Sequence, residues 1–485
     1  MLAQLTRRKP IADATADGDA AEGRLKRTLG ALDLTALGIG AVIGAGIFSS
    51  TGTAAAGGGG HIGAGPALII SYVLTAVACG FAALCYAEMA SMIPIAGSAY
   101  TYAYVTLGEF LAWIIGWDLI LEYAVGNVAV AVSWSGYFKS FVEGFGVHLP
   151  AWLVSTVNQA QASPQILAEA PHLFGIPIVF NLPAGVIVAL ITILLVVGIK
   201  ESARVNSVIV GLKIILVLGF IAIGGFWVAP ANWHPFAPNG FRGIMSGASI
   251  IFFSYIGFDA ISTTAEEAKN PQRDLPIGMI ASLVICTVLY VAVTAVLTGM
   301  VPSDQLGVAD PLALALQKAG QTRLAGVFSF GAVIAMTAVL LVFQMGQPRI
   351  FMSMARDGLL PKFAARIHPR FRTPHVTTII TGVAVGVPAM FVDINDALEF
   401  TNIGTLFAFV LVSAGVLVLH YTDPDRPRPF RCPGSPVVPV LSIISCVALM
   451  LPLPRITWYR FVGWLVIGLV IYFAYGRRKS RLRGD

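Results

Sequence analysis

Charged side chains are scarce in this chain of 485 residues. Asp, Glu, Lys and Arg make up 12% of it, whereas 56% of the residues are hydrophobic. Soluble domains carry roughly 25% charged residues, and a soluble core of this size could not bury so much apolar surface. The composition therefore excludes an ordinary soluble protein. It predicts an integral membrane protein whose surface is largely covered by lipid.

Groups that bind metals or attack substrates are also few. The seven His residues have no HExxH-like spacing, so we predict neither a metal site nor a bound cofactor. No nucleophile with its base is evident inside the apolar runs, which argues against a membrane-embedded enzyme. No two Cys residues form a CxxC pair, and we expect all five to be small buried side chains: Cys79, Cys85, Cys286, Cys432 and Cys446.

Long apolar runs are abundant. A helix needs about 20 apolar residues to cross a bilayer, and about twelve runs approach this length. They predict an all-α membrane protein with about twelve transmembrane helices. The runs are 32–52, 65–92, 107–142, 182–200, 205–228, 242–265, 276–300, 323–355, 375–392, 397–420, 437–453 and 458–476.

The polar segment 1–28 precedes the first run, which is too long for a cleaved signal peptide. We predict a tail over 1–28, one transmembrane domain over 29–476 and a second tail over 477–485. The stretches 57–60 and 149–177 are expected to be ordinary connecting loops.

The basic residues are distributed unevenly between the two sides of the membrane. With the N-terminus inside, 24 of the 31 Lys and Arg residues fall on inner segments and 6 on outer ones. This asymmetry predicts that both termini are cytoplasmic, in the cell membrane. The net charge of +6 is then a consequence of the membrane topology, so we expect no nucleic-acid partner.

The first run contains four glycines within nine residues: Gly38, Gly40, Gly44 and Gly46. They favour either close helix packing or a helix that breaks inside the membrane, and the sequence leaves both open. At such a break, free amides at a half-helix N-terminus can bind a carboxylate. A dinucleotide fingerprint is excluded because that motif needs a preceding strand.

The sixth run holds Gly257 and Asp259 near its middle. A break here would expose backbone carbonyls that can receive an ammonium group. Five spans separate the two glycine sites, so spans 1–5 and 6–10 have opposite topology, as in inverted-repeat transporters.

Ionisable residues inside spans are candidates for function because burying them is costly. Lys213 lies eight residues into the fifth run. It either snorkels to the inner face or is a desolvated amine that can gain and lose a proton. Asp118 and Glu122 share one face of the third span, as a hydrogen-bonded pair or as a proton or cation site. Glu88, at the end of the second span, is interpreted as structural.

Three segments carry a resemblance to a known family. Residues 43–48, 94–102 and 266–276 resemble, in order and spacing, three conserved-looking motifs of permeases of the amino acid–polyamine–organocation superfamily. The segments 121–123 and 255–259 resemble its bacterial cationic amino acid transporter branch. The resemblance covers the chain from about residue 28 onward.

The resemblance implies a LeuT-type 5+5 inverted repeat with discontinuous helices 1 and 6, plus two extra helices. Repeat one would span about 32–228, repeat two about 242–420, and the extra helices about 437–476. A substrate amino acid would lie between the two breaks, with Phe258 as a gate. Its carboxylate would meet Ile43, Gly44, Ala45 and Gly46, and its amino group would meet Phe253, Ser254 and Gly257.

In similar bacterial members, a fifth-span Lys occupies the place where sodium sits in relatives, and Lys213 matches it. The resemblance thus implies proton-coupled uptake, for which Glu122 is the second candidate. The alternative is an exchanger without net proton coupling. The larger animal relatives carry two further spans, so branch membership does not settle whether the substrate is cationic or neutral. The oligomeric state also stays open.

Overall fold

The computed structural model describes residues 7–9, 28–58, 60–93, 98–198 and 203–483. The described chain is almost entirely helical, with two short hairpins. The helices are α1 Ala31–Val42, α2 Thr51–Ala56, α3 Leu68–Met92, α4 Ser98–Thr106, α5 Glu109–Glu143, α6 Val157–Ala162, α7 Pro164–Glu169, α8 Leu182–Val197, α9 Ala203–Gly224, α10 Gly240–Ile251, α11 Pro271–Met300, α12 Pro311–Lys318, α13 Thr322–Arg356, α14 His375–Phe391, α15 Ile394–Thr422, α16 Val437–Met450, α17 Arg455–Ile471 and α18 Arg477–Lys479.

Several of these helices are long and apolar enough to cross a membrane. Among the described residues, eight helical segments qualify, and a ninth does if the bent pair Ala31–Val42 and Gly46–Ala56 is one span. Three shorter apolar helices, α8, α14 and α16, fall below the length of about 20 residues that a perpendicular span needs. The prediction of an all-α, multi-pass membrane protein is therefore confirmed.

The connecting segments are more structured than predicted. The stretch around 57–60 forms a hairpin in which β1, Gly57–Gly58, pairs with β2, His61–Ile62. The stretch 149–177 contains α6, α7 and a second hairpin of β3, His172–Leu173, with β4, Ile176–Pro177. Both stretches were expected to be plain loops. Helices and hairpins of two to six residues are too short to leave a periodic pattern in the sequence.

The core is built from pairs of long helices. α13 packs along α5, and α11 packs against both α3 and α1. Large side chains fill the space between them, and Trp113, Tyr72 and Tyr290 are fully buried. This packing holds α1, the first half of the first span, against the rest of the bundle.

The two described chain ends meet on one face of the bundle, which we call the tail face. Arg7 Nη1 donates to Leu482 O at 2.6 Å, and the amide of Glu109 donates to Arg7 O at 2.9 Å. Lys9 Nζ lies 2.8 Å from Asp357 Oδ1. Most of the predicted tail 1–28 and residues 94–97 of one motif lie outside the described residues.

The opposite face is closed by a buried contact between a His and a Glu side chain. His61 Nε2, in the first hairpin, lies 3.0 Å from Glu399 Oε1 near the start of α15. Thr457 of α17 donates a hydrogen bond to the other oxygen of Glu399. All three side chains are buried, so hairpin, α15 and α17 are joined on this face.

Candidate functional site

The first span is broken. α1 ends at Val42, and Ile43 takes an extended conformation with ψ of 100°. A π-helical turn, Gly46–Ser50, then leads into α2, and the two halves are bent by 41°. We call residues 43–46 the first break. The sequence left two alternatives for these glycines, a break in the helix and close helix packing. Both are observed, because the helix is broken and Gly38 and Gly46 also pack closely against other segments.

The sixth span is also interrupted. α10 ends at Ile251 and gives way to a 3-10 turn, Phe252–Tyr255, and then to Ile256 with ψ of 131°. Gly257 follows with φ of +119°, a conformation that favours glycine. A second 3-10 segment runs over Asp259–Glu267. We call residues 253–258 the second break.

The two breaks lie against each other. A Cβ atom placed on Gly46 would come within 3.0 Å of the Cα, Cβ and Oγ atoms of Ser254. One placed on Gly257 would lie 3.0 Å from the carbonyl of Ala41. Only hydrogen at these two positions allows this approach. All eight residues named for the substrate are buried, and the contact between Gly46 and Ser254 joins the two groups that they form: Ile43, Gly44, Ala45 and Gly46 at the first break, and Phe253, Ser254, Gly257 and Phe258 at the second.

The backbone amides at the first break differ in whether they can bind a carboxylate. The amide of Ile43 donates to Ile39 O at 2.9 Å, so the inclusion of Ile43 among the free amides was wrong. It closes the last turn of α1 instead. Gly44, Ala45 and Gly46 come next and open a new helical turn, where the first amides have no partner within the helix. These three amides are the groups that can receive a carboxylate.

The carbonyls at the second break already accept one bond each. Phe253 O accepts from Ile256 N at 3.3 Å, and Gly257 O accepts from Ala260 N at 3.1 Å. A carbonyl oxygen has two lone pairs, so each retains the capacity to accept an ammonium proton. The Phe258 ring is fully buried and packs edge-on against Tyr86 and at a tilt against Phe409, with centroids 6.0 and 5.3 Å away.

Lys213 lies on α9 and does not snorkel. Its side chain is 1% exposed, and Nζ donates to Gly40 O at 2.5 Å. Gly40 lies in the last turn of α1, three residues before the first break. The amine is therefore attached to the inner half of the first span.

Asp118, Glu122 and Asp259 are buried together without a cation partner among the described residues. Glu122 interacts electrostatically with both of the other carboxyl groups. Neither oxygen of Asp118 has a hydrogen-bond partner among the described residues, so of the two alternatives left by the sequence, the hydrogen-bonded pair is not formed. Asp259 Oδ1 accepts from the amide of Gly257 at 3.2 Å, which supports the second break.

The comparisons with known proteins agree with this geometry. Residues 29–473 match the sequence profile of a family described as amino acid permease. The chain belongs to the amino acid permease family. The resemblance to permeases of the superfamily is thereby confirmed, and the protein is a transporter of small molecules rather than an enzyme.

Two relatives from Bacillus subtilis cover nearly the whole permease. The chain is 50% identical over 483 residues to the branched-chain amino acid permease BcaP, and 47% identical over 481 residues to a methylthioribose transporter. Each alignment covers 99% of this chain and 100% of the relative. Cationic amino acid transporter 4, vacuolar, of Arabidopsis thaliana is 39% identical over 427 residues, which cover 87% of this chain and 68% of the relative.

Side chains that were not predicted from the sequence stabilise the two breaks of the permease. Ser254 Oγ lies 3.1 Å from Ser50 Oγ and 3.3 Å from Tyr72 Oη, which in turn is 2.7 Å from Thr51 Oγ1. This hydroxyl network joins the outer half of the first span to the second break. Polar residues within apolar runs are the only sequence signal, and they do not reveal their partners.

Two further side chains hold the ends of the half-helices in the permease. Tyr290 Oη donates to Val42 O, the last carbonyl of α1, at 2.9 Å. Asn402 Nδ2 donates to Ser249 O at 2.8 Å and to Ile250 O at 2.9 Å, near the end of α10. Carbonyls at a helix end lack partners within the helix, so these donors stabilise the interruptions.

No metal site is evident in the described part of the permease, where no three His, Cys, Asp or Glu residues are arranged to hold an ion. All five Cys residues are buried and free, as expected. Glu88 accepts from Arg428 Nε at 3.1 Å and lies 2.7 Å from His420 Nε2. This buried contact fits the structural role predicted for Glu88.

Proposed function

We propose that this permease takes up neutral, branched-chain amino acids together with protons, by alternating access. The observation that carries the proposal is the buried contact between the two breaks at Gly46 and Ser254. In this proposal, the amides of residues 44–46 face the substrate carboxylate, and the carbonyls of Phe253 and Gly257 face its ammonium group. A zwitterion offers a carboxylate to the first group and an ammonium to the second.

The preference for a branched apolar side chain rests on two observations. The relative BcaP, named for branched-chain amino acids, aligns over its full length. In addition, apolar side chains surround the breaks. Val339 of α13 would lie 3.0 Å from a Cβ atom on Gly44, and Phe252 and Phe253 follow the end of α10. Apolar walls favour a hydrocarbon side chain over a charged one.

Proton coupling is proposed to run through Lys213, with Glu122 as a second protonatable group. A protonated Lys213 holds Gly40 O through a charge-assisted hydrogen bond. A neutral amine donates more weakly, which would free the inner half of the first span to move. The proton is the only coupling ion in this scheme, and no cofactor takes part.

The proposed architecture has twelve spans. The eight long segments, the bent pair and the three shorter apolar helices together make this number. Spans 1–5 and 6–10 form the LeuT-type inverted repeats, and spans 11 and 12 are additional. Spans 1, 2, 6 and 7 would rock against spans 3, 4, 8 and 9. An even number of spans agrees with both described chain ends lying on the tail face.

The same architecture gives the orientation. We propose that the tail face is cytoplasmic and that the permease lies in the cell membrane, because most Lys and Arg residues fall on that side. The His61–Glu399 pair then closes the outer face.

The test is uptake of a labelled amino-acid panel into proteoliposomes, with and without an inward proton gradient. We expect gradient-stimulated uptake of leucine, isoleucine and valine. Lys213→Ala should abolish the response to the gradient, whereas Lys318→Ala, which alters an exposed Lys, should keep it. Acid-stimulated uptake by Lys213→Ala at the wild-type level would refute the coupling role. Uptake that requires internal amino acid would identify an exchanger.

A second candidate substrate is methylthioribose, because the relative named for it is 47% identical over its full length. This sugar has neither a carboxylate nor an ammonium group, so it would not use the two breaks as a zwitterion does. Competition in the same assay separates the candidates. Inhibition of leucine uptake by excess valine but not by methylthioribose supports the amino-acid substrate, and the reverse pattern contradicts it.

A further inference from the structure

A groove of about 480 Å³ lies away from the proposed transport site, at the tail face. It runs between the first turns of α11 and the segment Pro429–Phe430, which connects α15 to α16. Its volume falls within the roughly 300–1,000 Å³ that is usual for small-molecule sites. Neither the break geometry nor the proposed coupling uses this groove.

The groove is apolar along most of its length. Pro276, Ile277 and Ile280 of α11 form one wall, and Phe430 contributes to the other. Ile277 is 41% exposed, and the exposed apolar row continues along the same helix at Val284 and Val288. The groove therefore opens onto a helix surface that lipid chains cover in a membrane protein.

The end nearest the tail face is polar and positively charged. Gln272 and Arg273 line it from the first turn of α11, and both are exposed. Within the described part of the chain, the guanidinium of Arg273 makes no ion pair. The neighbouring carboxyl group, Asp274, is buried, and its Oδ2 accepts from the amide of Asn270 at 3.2 Å. The groove thus combines one available guanidinium with a long apolar track.

A hydrogen bond to the end of α3 fixes the second wall of the groove, which contains Phe430. The Phe430 amide donates to Ser91 Oγ at 3.3 Å, at the end of α3. Arg428 donates to the buried Glu88, so this second guanidinium is already paired. The groove is therefore preformed, with Arg273 as its cation.

We propose that this groove binds an anionic phospholipid. Its phosphate is held by Arg273, and one acyl chain lies along Ile277 and Ile280. A planar guanidinium matches phosphate oxygens in two parallel hydrogen bonds. Basic pockets beside membrane helices on the cytoplasmic side are a known setting for such head groups. The exposed Lys269 and Arg431 flank the two walls in sequence and add to the positive potential.

Native mass spectrometry of the full-length permease tests the proposal, with phosphatidylglycerol or phosphatidylcholine of identical acyl chains added. We expect the wild type to retain phosphatidylglycerol about fivefold better than phosphatidylcholine, the effect of one basic residue near a membrane surface. Arg273→Gln should abolish this preference. Arg366→Gln, which removes an exposed basic residue outside the groove, should keep it.

Three outcomes would overturn the proposal. These are equal retention of the two lipids, an unchanged preference in Arg273→Gln, or displacement of the lipid by millimolar inorganic phosphate, which indicates a site for free anions. Ile277→Asn distinguishes the last case further, because it should weaken a lipid and leave a free anion unaffected. The readout is binding rather than transport, so its failure is distinguishable from failure of the proposed function.

Discussion

The contact between the two breaks can be perturbed with a single methyl group at Gly46. In Gly46→Ala, the new Cβ would lie 2.8 Å from both Cβ and Oγ of Ser254 and closer still to its Cα. Carbon atoms pack at about 3.5–4.0 Å, so the two segments must separate by about 1 Å. The backbone of Ser254 cannot rotate away as a side chain could.

The expected loss in affinity follows from this separation. A hydrogen bond to a charged group contributes about 1.5–3 kcal/mol. Loss of one such bond to the substrate carboxylate or ammonium would weaken binding by roughly 10- to 150-fold, since about 1.4 kcal/mol corresponds to a factor of ten. The cost in stability should be of similar size, about 1–3 kcal/mol, as for other overpacked cores.

Leucine binding and thermal stability, both measured on purified protein, separate these effects. The matched control is Gly219→Ala on α9, where an added Cβ meets nothing within 4 Å. It should bind normally and gain up to about 1 kcal/mol in stability. A folded Gly46→Ala that binds leucine with wild-type affinity would refute the assignment of the substrate to the breaks.

Three further predictions concern buried polar side chains and their partners. Arg428→Ala leaves Glu88 buried without its guanidinium and should lower the free energy of unfolding by about 3 kcal/mol, which Glu88→Gln in the same chain should partly restore in thermal melts. Tyr290→Phe removes one hydrogen bond from the end of α1 and should weaken leucine binding about two- to tenfold, by about 0.5–1.5 kcal/mol; an unchanged Kd contradicts it. Burial raises the pKa of Asp310, which accepts a hydrogen bond from Ser140, so its charged form destabilises the fold increasingly as pH rises above about 3.9. The Tm of Asp310→Asn relative to that of the wild type should therefore rise as the pH is raised from 4 to 7. A Tm difference between variant and wild type that is the same at pH 4 and pH 7 would contradict this.

Local features were predictable where they depend on the residue alone. The glycines of the first span and Gly257 mark both interruptions, because glycine weakens a helix and tolerates positive φ. The depth of Lys213 in its span could also be predicted from the sequence. Its partner, Gly40 O, was not, because Gly40 lies 173 residues away in sequence.

This dependence on distant parts of the chain also explains where the structure differs from the predictions. Helical spacing left a hydrogen-bonded pair open as one alternative for Asp118 and Glu122, but the oxygens of Asp118 have no partner among the described residues. Spacing along one helix says nothing about neighbouring helices. The amide of Ile43 was assigned to the substrate, yet it donates to Ile39 O and closes the last turn of α1. Helix ends are where local patterns are weakest.

The sequence by itself determined that the protein resides in the membrane, roughly where its helices run and where two of them are interrupted. These properties follow from hydropathy and backbone preference, which are local. Only the tertiary structure decided that Gly46 meets Ser254, that Tyr290 and Asn402 hold the half-helix ends, and that Arg273 stands at the mouth of an apolar groove. Such contacts join segments far apart in the chain, and they arise from how helices pack rather than from what each helix contains.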